Sequence, residues 1–303
     1  PADALGDLTE ATRLALALGS ADILLDDLLA LLTPLERDIV DQVALCRMPL
    51  DPIDVARART GNPAITPDRA QATAIRRLAD LTLITHVYNA QGPVDRQLAL
   101  WRQFSPALRA RLQFLVIDDH SDLPLQVQRD GLDLRLVRVD DDIDWNMPGC
   151  RNLAATLCET SWMLFFDVDN VASEASLLKI VDNLPRLDRG RLHVFRRTEN
   201  GVDVEPHINS FLITRQGFWR AGGYDEDFSG HYGFEDVAFR MMWRKHVGGE
   251  VLLTDIAFEQ IAFRTSGLDR DLQRNQALIA QRAAAGLPKP KGMLRFAWEE
   301  VAV

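Results

Sequence analysis

The sequence predicts an α/β protein with a mostly parallel central sheet, preceded by a small helical module, and three observations carry that reading. From Leu81 onward, strand-like apolar runs alternate with helical segments at the spacing of right-handed strand–helix–strand crossovers. One run, Trp162-Met163-Leu164-Phe165-Phe166, is continuously apolar, as expected of a strand buried on both faces. It leads straight into Asp167-Val168-Asp169-Asn170, so two carboxylates one residue apart stand at its end, where open α/β sheets bind their ligands.

The 303 residues leave room for one large α/β domain plus an appendage, and 47% hydrophobic content supports a substantial core. The 44 acidic and 34 basic residues give a net charge of −10, and no basic run compensates, which argues against a nucleic-acid partner. Cys46, Cys150 and Cys158 are odd in number and lack metal-binding spacing, so they read as reduced thiols. No apolar run reaches the ~18 residues of a membrane helix, and no signal peptide is read at the start. The expectation is a soluble cytoplasmic protein without a transmembrane segment.

Residues 1–80 read as helical. Leu14, Leu18, Ile23, Leu24, Leu28 and Leu31 mix helical spacing with short apolar runs. Thr33-Pro34-Leu35-Glu36 is a helix start, with a capping Thr, a first-turn Pro and a Glu placed for a capping box. Leu35, Ile39, Val43 and Cys46 follow on one face, and Thr66-Pro67 opens a further helix. No catalytic constellation occurs there, which leaves a packing or interaction module.

The texture changes at Leu81. Residues 81–87 form a strand ending in Tyr88-Asn89 and a Gln91-Gly92-Pro93 turn, and a helix with Val94, Leu98, Trp101 and Phe104 follows. Residues 112–117 form a second buried strand, ending in Asp118-Asp119-His120-Ser121-Asp122. A third strand spans 132–139, an acidic loop spans 140–144, and a helix over 150–159 feeds the central strand. Further on, 208–215 reads as a strand, Glu235-Asp236 opens a helix, 251–263 adds a strand or two, and 268–285 is helical up to Gly286.

Polar residues thus gather at three strand ends that share one edge: Tyr88-Asn89, Asp118-Asp119 and Asp167-Val168-Asp169. A strand-end Asp-x-Asp suits a hard divalent cation, which takes oxygen ligands and shares them with substrate phosphates. The same residues are ordinary turn formers, so the motif alone decides nothing.

Together the three strand ends resemble the inverting glycosyltransferases of family two and their galactosyltransferase relatives, which share the GT-A fold; the resemblance covers residues 81–246. Tyr88 and Asn89 match the family's first strand end, and Asp118, Asp119 and Ser121 match its Asp-Asp-x-Ser. Cys150-Arg151-Asn152 stands where the family has Ala-Arg-Asn, and Asp167 and Asp169 match its Asp-x-Asp. The resemblance implies a UDP-sugar site built from Tyr88, Asn89, Asp118, Asp119, Arg151 and Asp167. Mn²⁺ or Mg²⁺ would be held by Asp167 and Asp169. Tyr88 can stack on uracil, Asp119 can accept from its imide N–H, and Arg151 can assist diphosphate departure. His86 stands where the family more often has a small polar residue.

A second block, Gly222-Gly223-Tyr224-Asp225-Glu226-Asp227-Phe228 and then Gly233-Phe234-Glu235-Asp236, resembles the acceptor segment of the galactosyltransferase-like members. The resemblance implies that Asp236 is the base that takes the acceptor proton, with Glu235 positioning the acceptor. Acids at a helix start are also favourable without any chemistry. Trp219, Gly223, Tyr224 and Tyr232 are the acceptor-binding candidates, and Trp145 is a further stacking candidate. His207, His231 and His246 are candidates for a third metal ligand. The implied organisation is a nucleotide-binding half over 81–170, an acceptor half over 171–250 and a tail over 251–303. The implied activity is inverting transfer of a galactose- or N-acetylgalactosamine-type hexose from a UDP-sugar to a carbohydrate or other hydroxyl acceptor. A nucleotidyltransferase and a non-catalytic nucleotide-sugar-binding module are the alternatives.

Overall fold

The structure is a computed structural model that describes residues 79–263, 265 and 268–303. The helical module expected over residues 1–80 lies almost wholly outside the described residues. In chain order the elements are β1 (Leu81–Val87), α1 (Gln91–Gln103), the single-turn α2 (Pro106–Arg109), β2 (Leu112–Asp118), β3 (Leu134–Val139), α3 (Met147–Leu157) and β4 (Trp162–Phe165). They continue with β5 (Asn170–Ala172), α4 (Glu174–Asn183), β6 (Leu192–Glu199), β7 (Val202–Val204), β8 (Phe211–Thr214) and α5 (Arg215–Ala221). The last are α6 (Glu235–His246), β9 (Glu250–Gln260), α7 (Gln273–Ala284) and β10 (Trp298–Val301).

One sheet runs in the order β10-β3-β2-β1-β4-β8-β6-β9-β5, with β7 paired to β6. Its centre, β3-β2-β1-β4, is parallel, with Leu81 opposite both Leu112 and Trp162. Antiparallel neighbours flank that block, β10 against β3 on one side and β8 against β4 on the other. The expected α/β class with a parallel centre is therefore present. The parallel strands all end on one edge, where the Asp119 amide donates to the Val87 carbonyl (2.8 Å) and the Phe166 amide to the Ile84 carbonyl (3.1 Å).

Strand alternation sends side chains to both faces, and helices cover both. On one face Leu83, Phe114 and Val116 pack with Leu98 and Trp101 of α1 and Ile180 of α4. On the other, Ile84, Leu115 and Ile117 pack with Leu153 of α3 and Phe239 and Trp243 of α6. Each such buried side chain contributes about 1.5–3 kcal/mol. Phe239, Met242 and Trp243 form the buried face of α6, as its spacing predicts.

Several boundaries differ from the sequence reading. Gln91-Gly92-Pro93 is the first turn of α1 rather than a separate turn, because a first-turn proline gives up an amide that has no helical partner. The helix expected from Cys150 begins at Met147, with Pro148 in its first turn. The strand expected over 208–215 is Phe211–Thr214, because the Thr214 hydroxyl accepts from the Gly217 amide (3.0 Å) and starts α5. Residues 251–263 hold a single strand, β9. The tail forms a strand at the sheet edge, with Trp298 opposite Val139. No helix among the described residues is long and apolar enough to cross a membrane.

The turn after β4 is held from below. The buried Gln97 of α1 donates through Nε2 to the carbonyls of Val168 (3.0 Å) and Asn170 (2.8 Å). Replacing its amide with an apolar group leaves two buried carbonyls unpaired, so Gln97→Met should cost about 2–4 kcal/mol of folding stability. Urea denaturation of the purified protein measures this, and a loss below about 0.5 kcal/mol would mean that water replaces the amide.

Candidate active site

At the carboxyl edge of the parallel strands lies a cavity of about 570 Å³, lined by His86, Tyr88, Asp119, Trp145, Asp167 and Asp169 on the strand-end side. His207, Asn209, Tyr232, Glu235 and Asp236 also line it. The fold therefore brings the strand-end acids and the start of α6 to one crevice.

Asp167 is the best-anchored acid. Its Oδ2 accepts from Asn209 Nδ2 (2.8 Å) and its Oδ1 from Arg151 Nη2 (3.3 Å), with His207 Nε2 at 3.8 Å. Desolvation pushes its carboxyl up, but His207, Arg151 and His86 outweigh that and hold it below the usual carboxylate range. Asp169 accepts from Asn170 Nδ2 (3.0 Å) and Gln260 Nε2 (3.3 Å). Desolvation and then the Asp167 charge raise its pKa. Among the described residues no three His, Cys, Asp or Glu side chains converge as a complete metal cage.

Asp118 and Asp119, adjacent in sequence, have opposite fates because they sit at a strand end with alternating faces. Asp118 is spent on structure: it accepts from the Ser121 amide (2.9 Å), the Leu125 amide (3.3 Å) and Arg138 Nη1 (2.6 Å). Asp119 lines the cavity, and its buried Oδ1 has no hydrogen-bond partner. Desolvation, opposed by contacts from Cys150 and Asn146, pushes its pKa up to about 7. Asn89 also proves to be a clamp. At φ +49° it donates through Nδ2 to Asp122 Oδ2 (3.0 Å) and accepts from the Asp122 amide (2.9 Å). Tyr88 lines the cavity, whereas Asn89 and Asp118 hold its loops.

Arg151 is fully buried beneath the cavity rather than facing it. Its Nη1 donates to Asp236 Oδ1 (2.7 Å) and the Tyr224 hydroxyl (2.5 Å), and its guanidinium packs within 5.3–5.7 Å of the Phe165, Phe211 and Tyr224 rings. Desolvation opposes its charge, but Tyr224, Asp236 and Asp167 keep it protonated. The Tyr224 hydroxyl also donates to Asp236 Oδ1 (2.8 Å). Both hydrogen bonds fall on Oδ1, and neither reaches Oδ2. Desolvation raises the Asp236 pKa, with Arg151 opposing and Asp167 adding to the rise.

Glu235 and Asp236 reach the cavity through backbone conformation, not side-chain capping. Gly233 (φ +87°) and Phe234 (φ +69°) swing the chain into α6, and no side chain caps its start. The left-handed φ of Gly233 favours glycine there, and Leu272 Cδ2 lies over it. Glu235 Oε2 is buried without a partner, and desolvation followed by Asp236 raises its pKa.

The expected acceptor residues separate. Tyr232 lines the cavity, with its ring 4.5 Å from that of Trp145. Tyr224 is fully buried and meets the site only through its hydroxyl on Asp236. Gly223 is buried behind it at φ +69°, where a Cβ would lie 2.8 Å from Asn152 Oδ1. Trp219 packs edge-on against Phe218, away from the crevice. Asn152 fixes this block by accepting from the Tyr224 amide (2.8 Å) and donating to the Tyr224 carbonyl (3.0 Å) and Glu226 Oε1 (2.8 Å). Of the candidate histidines only His207 lies beside the Asp-x-Asp acids. Asn209, Gln260 and Gln97, which hold those acids and their turn, carried no signal in the sequence.

No protein-family model matches this sequence, and no curated protein matches it. Solved structures do match in three dimensions. S. aureus TarS 1–349 in complex with UDP-GlcNAc is similar over 70% of this chain and 68% of that one, at 16% identity and a TM-score of 0.55. TarS 1–349 without ligand matches at 16% identity over 60% of each chain, with a TM-score of 0.48, so the match spans less than two-thirds of that protein's length. A mannosyltransferase from Pyrobaculum calidifontis, in complex with GDP-Man and Mn²⁺, matches at 16% identity over 71% of this chain and 66% of that one, with a TM-score of 0.49. The central sheet, its covering helices and the crevice at the strand ends are those of the GT-A glycosyltransferase fold.

Proposed function

We propose that this chain is a glycosyltransferase. It moves a hexose, of galactose or N-acetylgalactosamine type, from a UDP-sugar to a hydroxyl acceptor, inverts the anomeric centre and works in the cytoplasm. One observation carries the reading: Asp236 lines the same cavity as Asp119, Asp167 and Asp169, with its Oδ1 held by Arg151 and Tyr224. A carboxylate fixed on one oxygen presents the other as a base, and direct displacement needs one base opposite the leaving group. The fold shared with a UDP-GlcNAc-binding protein supports the donor class. The free, buried thiols of Cys150 and Cys158 support the location.

Tyr88 supplies a ring for the base to stack on, and the Asp119 carboxylate, which lines the cavity, suits the imide N–H of uracil. Among the described residues the cavity is lined by six carboxylates (Asp119, Asp144, Asp167, Asp169, Glu235 and Asp236) and one guanidinium, that of Arg270. Such a lining repels a diphosphate, and the raised pKa of Asp169 next to Asp167 marks a place where positive charge is wanted. These residues fit a divalent ion. Asp169 and Asp167 would hold Mn²⁺ or Mg²⁺, with His207 adjacent and the donor's oxygens completing the shell. Bound there, the ion would neutralise the diphosphate as it departs. Arg151 acts from beneath, orienting Asp236 and Asp167 together. Glu235, next to the base and lining the same cavity, would hydrogen-bond the acceptor.

Three measurements test the reading. UDP should bind at least about tenfold more weakly in EDTA than with Mn²⁺, by titration calorimetry; equal affinities would remove the metal. Asp236→Asn should lower transfer by about two to four orders of magnitude while leaving UDP affinity nearly unchanged. Normal transfer by both Asp236→Asn and Glu235→Gln would reduce the pair to a helix start. The Asp119 pKa of about 7 sets a pH dependence. The carboxylate form, the better acceptor for uracil, is lost as pH falls through 7. UDP affinity should therefore weaken from pH 8 to 6 more steeply in the native protein than in Asp119→Asn, and parallel profiles would place uracil elsewhere.

A further inference from the structure

The floor of the cavity is charged, but its mouth is apolar. Nine large hydrophobic side chains stand exposed among the described residues, and four of them line this one cavity: Ile208, Val237, Phe263 and Leu272, at 41, 39, 37 and 43% exposure. Val237 follows Asp236 directly in α6. Leu272 lies over Gly233, the glycine that turns the chain into that helix. The exposed apolar side chains and the proposed base therefore line one cavity.

The aromatic wall beside them is held in place. Trp145 (φ +51°) donates through its indole N–H to the Asp269 carbonyl (2.6 Å), and its ring lies 4.5 Å from that of Tyr232. Arg270 covers both rings, 5.2 Å from Trp145 and 6.0 Å from Tyr232, and donates to the carbonyls of Thr265 (2.7 Å) and Leu268 (3.4 Å). Among the described residues the one guanidinium lining the cavity is thus committed to rings and backbone. Six described carboxylates line the cavity against it, so the described lining disfavours an anionic acceptor.

We propose that the acceptor is a neutral amphiphile, a hydroxyl-bearing head joined to an alkyl or aryl group that lies on Ile208, Val237, Phe263 and Leu272. This deepens the glycosyltransferase reading and rests on it. A sugar alone would leave four apolar side chains wet, whereas an apolar aglycone removes both surfaces from water. Patches of this kind beside a polar cleft mark ligand-binding grooves.

The test compares matched methyl, phenyl and octyl glycosides of glucose, galactose, mannose and N-acetylglucosamine, held below micelle-forming concentrations. The full chain is first loaded with UDP and Mn²⁺ for calorimetric binding of the glycosides, then given labelled UDP-hexoses for transfer. The octyl or phenyl member of a set should bind, and be used, about tenfold to a hundredfold better than the methyl member. Val237→Thr and Leu272→Gln, which keep size but add polar atoms, should each narrow that ratio by threefold or more. Equal binding and use of methyl and apolar glycosides would overturn the proposal. So would a preference that survives in both variants, or a phosphate-bearing acceptor used better than every neutral one. Failure of the broader reading looks different: UDP itself would then give no heat with Mn²⁺ present.

Discussion

A guanidinium buried among aromatic rings is the constraint on which the rest of the site depends. An isolated charge at that depth is costly, and removing one partner of a buried pair typically costs about 3–5 kcal/mol. Arg151 is satisfied jointly by Asp236, Asp167, Tyr224 and the Asn209 carbonyl. The first turn of α6 and the end of β4 are thereby tied through one side chain that never faces the substrate. Arg151 is a positioning residue: it fixes where Asp167 and Asp236 stand relative to one another.

Around that tie the crevice divides its work by polarity. The strand-end side carries acids at different protonation levels, Asp167 held low and Asp119 and Asp169 pushed up, because burial and neighbouring charge differ over a few ångströms. Titratable groups driven apart in this way are the usual mark of assigned roles. The α6 side adds raised carboxyls next to apolar surface. Charge handling thus belongs to the sheet edge, and contact with less polar chemistry to the helix and the loops that face it.

The parallel centre was legible because Trp162 to Phe166 and the run from Leu112 are long, apolar and repeat at strand spacing. Asp167, Asp169, Asp119 and Tyr88 were legible as strand ends. Their sorting was not. Asp118 and Asp119 carry the same side chain, and only the pleat decides that Asp118 turns to Arg138 while Asp119 faces the crevice. Tyr224 read as a contact for substrate, but its hydroxyl belongs to a partner 12 residues away and to one 73 away. No local pattern encodes such separations. Asn209, Gln260 and Gln97 look like surface amides until topology brings each to an acid or its turn. The short strands β5, β7 and β10 span three or four residues, too few for a periodic pattern to reveal a strand.

The tail behaves as a strap. Backbone amides of Leu294 and Arg295 donate to the buried Glu226 (2.8 and 3.4 Å), the Ala297 amide donates to Asp141 (2.8 Å), and β10 then closes the edge beside β3. Glu226 is in turn held by Asn152, whose other contacts pin the backbone of Tyr224. A last strand distant in sequence from the glycine-rich block thus completes the polar shell beneath it. The two should open to solvent as one cooperative unit, with the slow exchange of buried amides at the rim of the sheet reporting on the support of Tyr224 and, through it, Asp236.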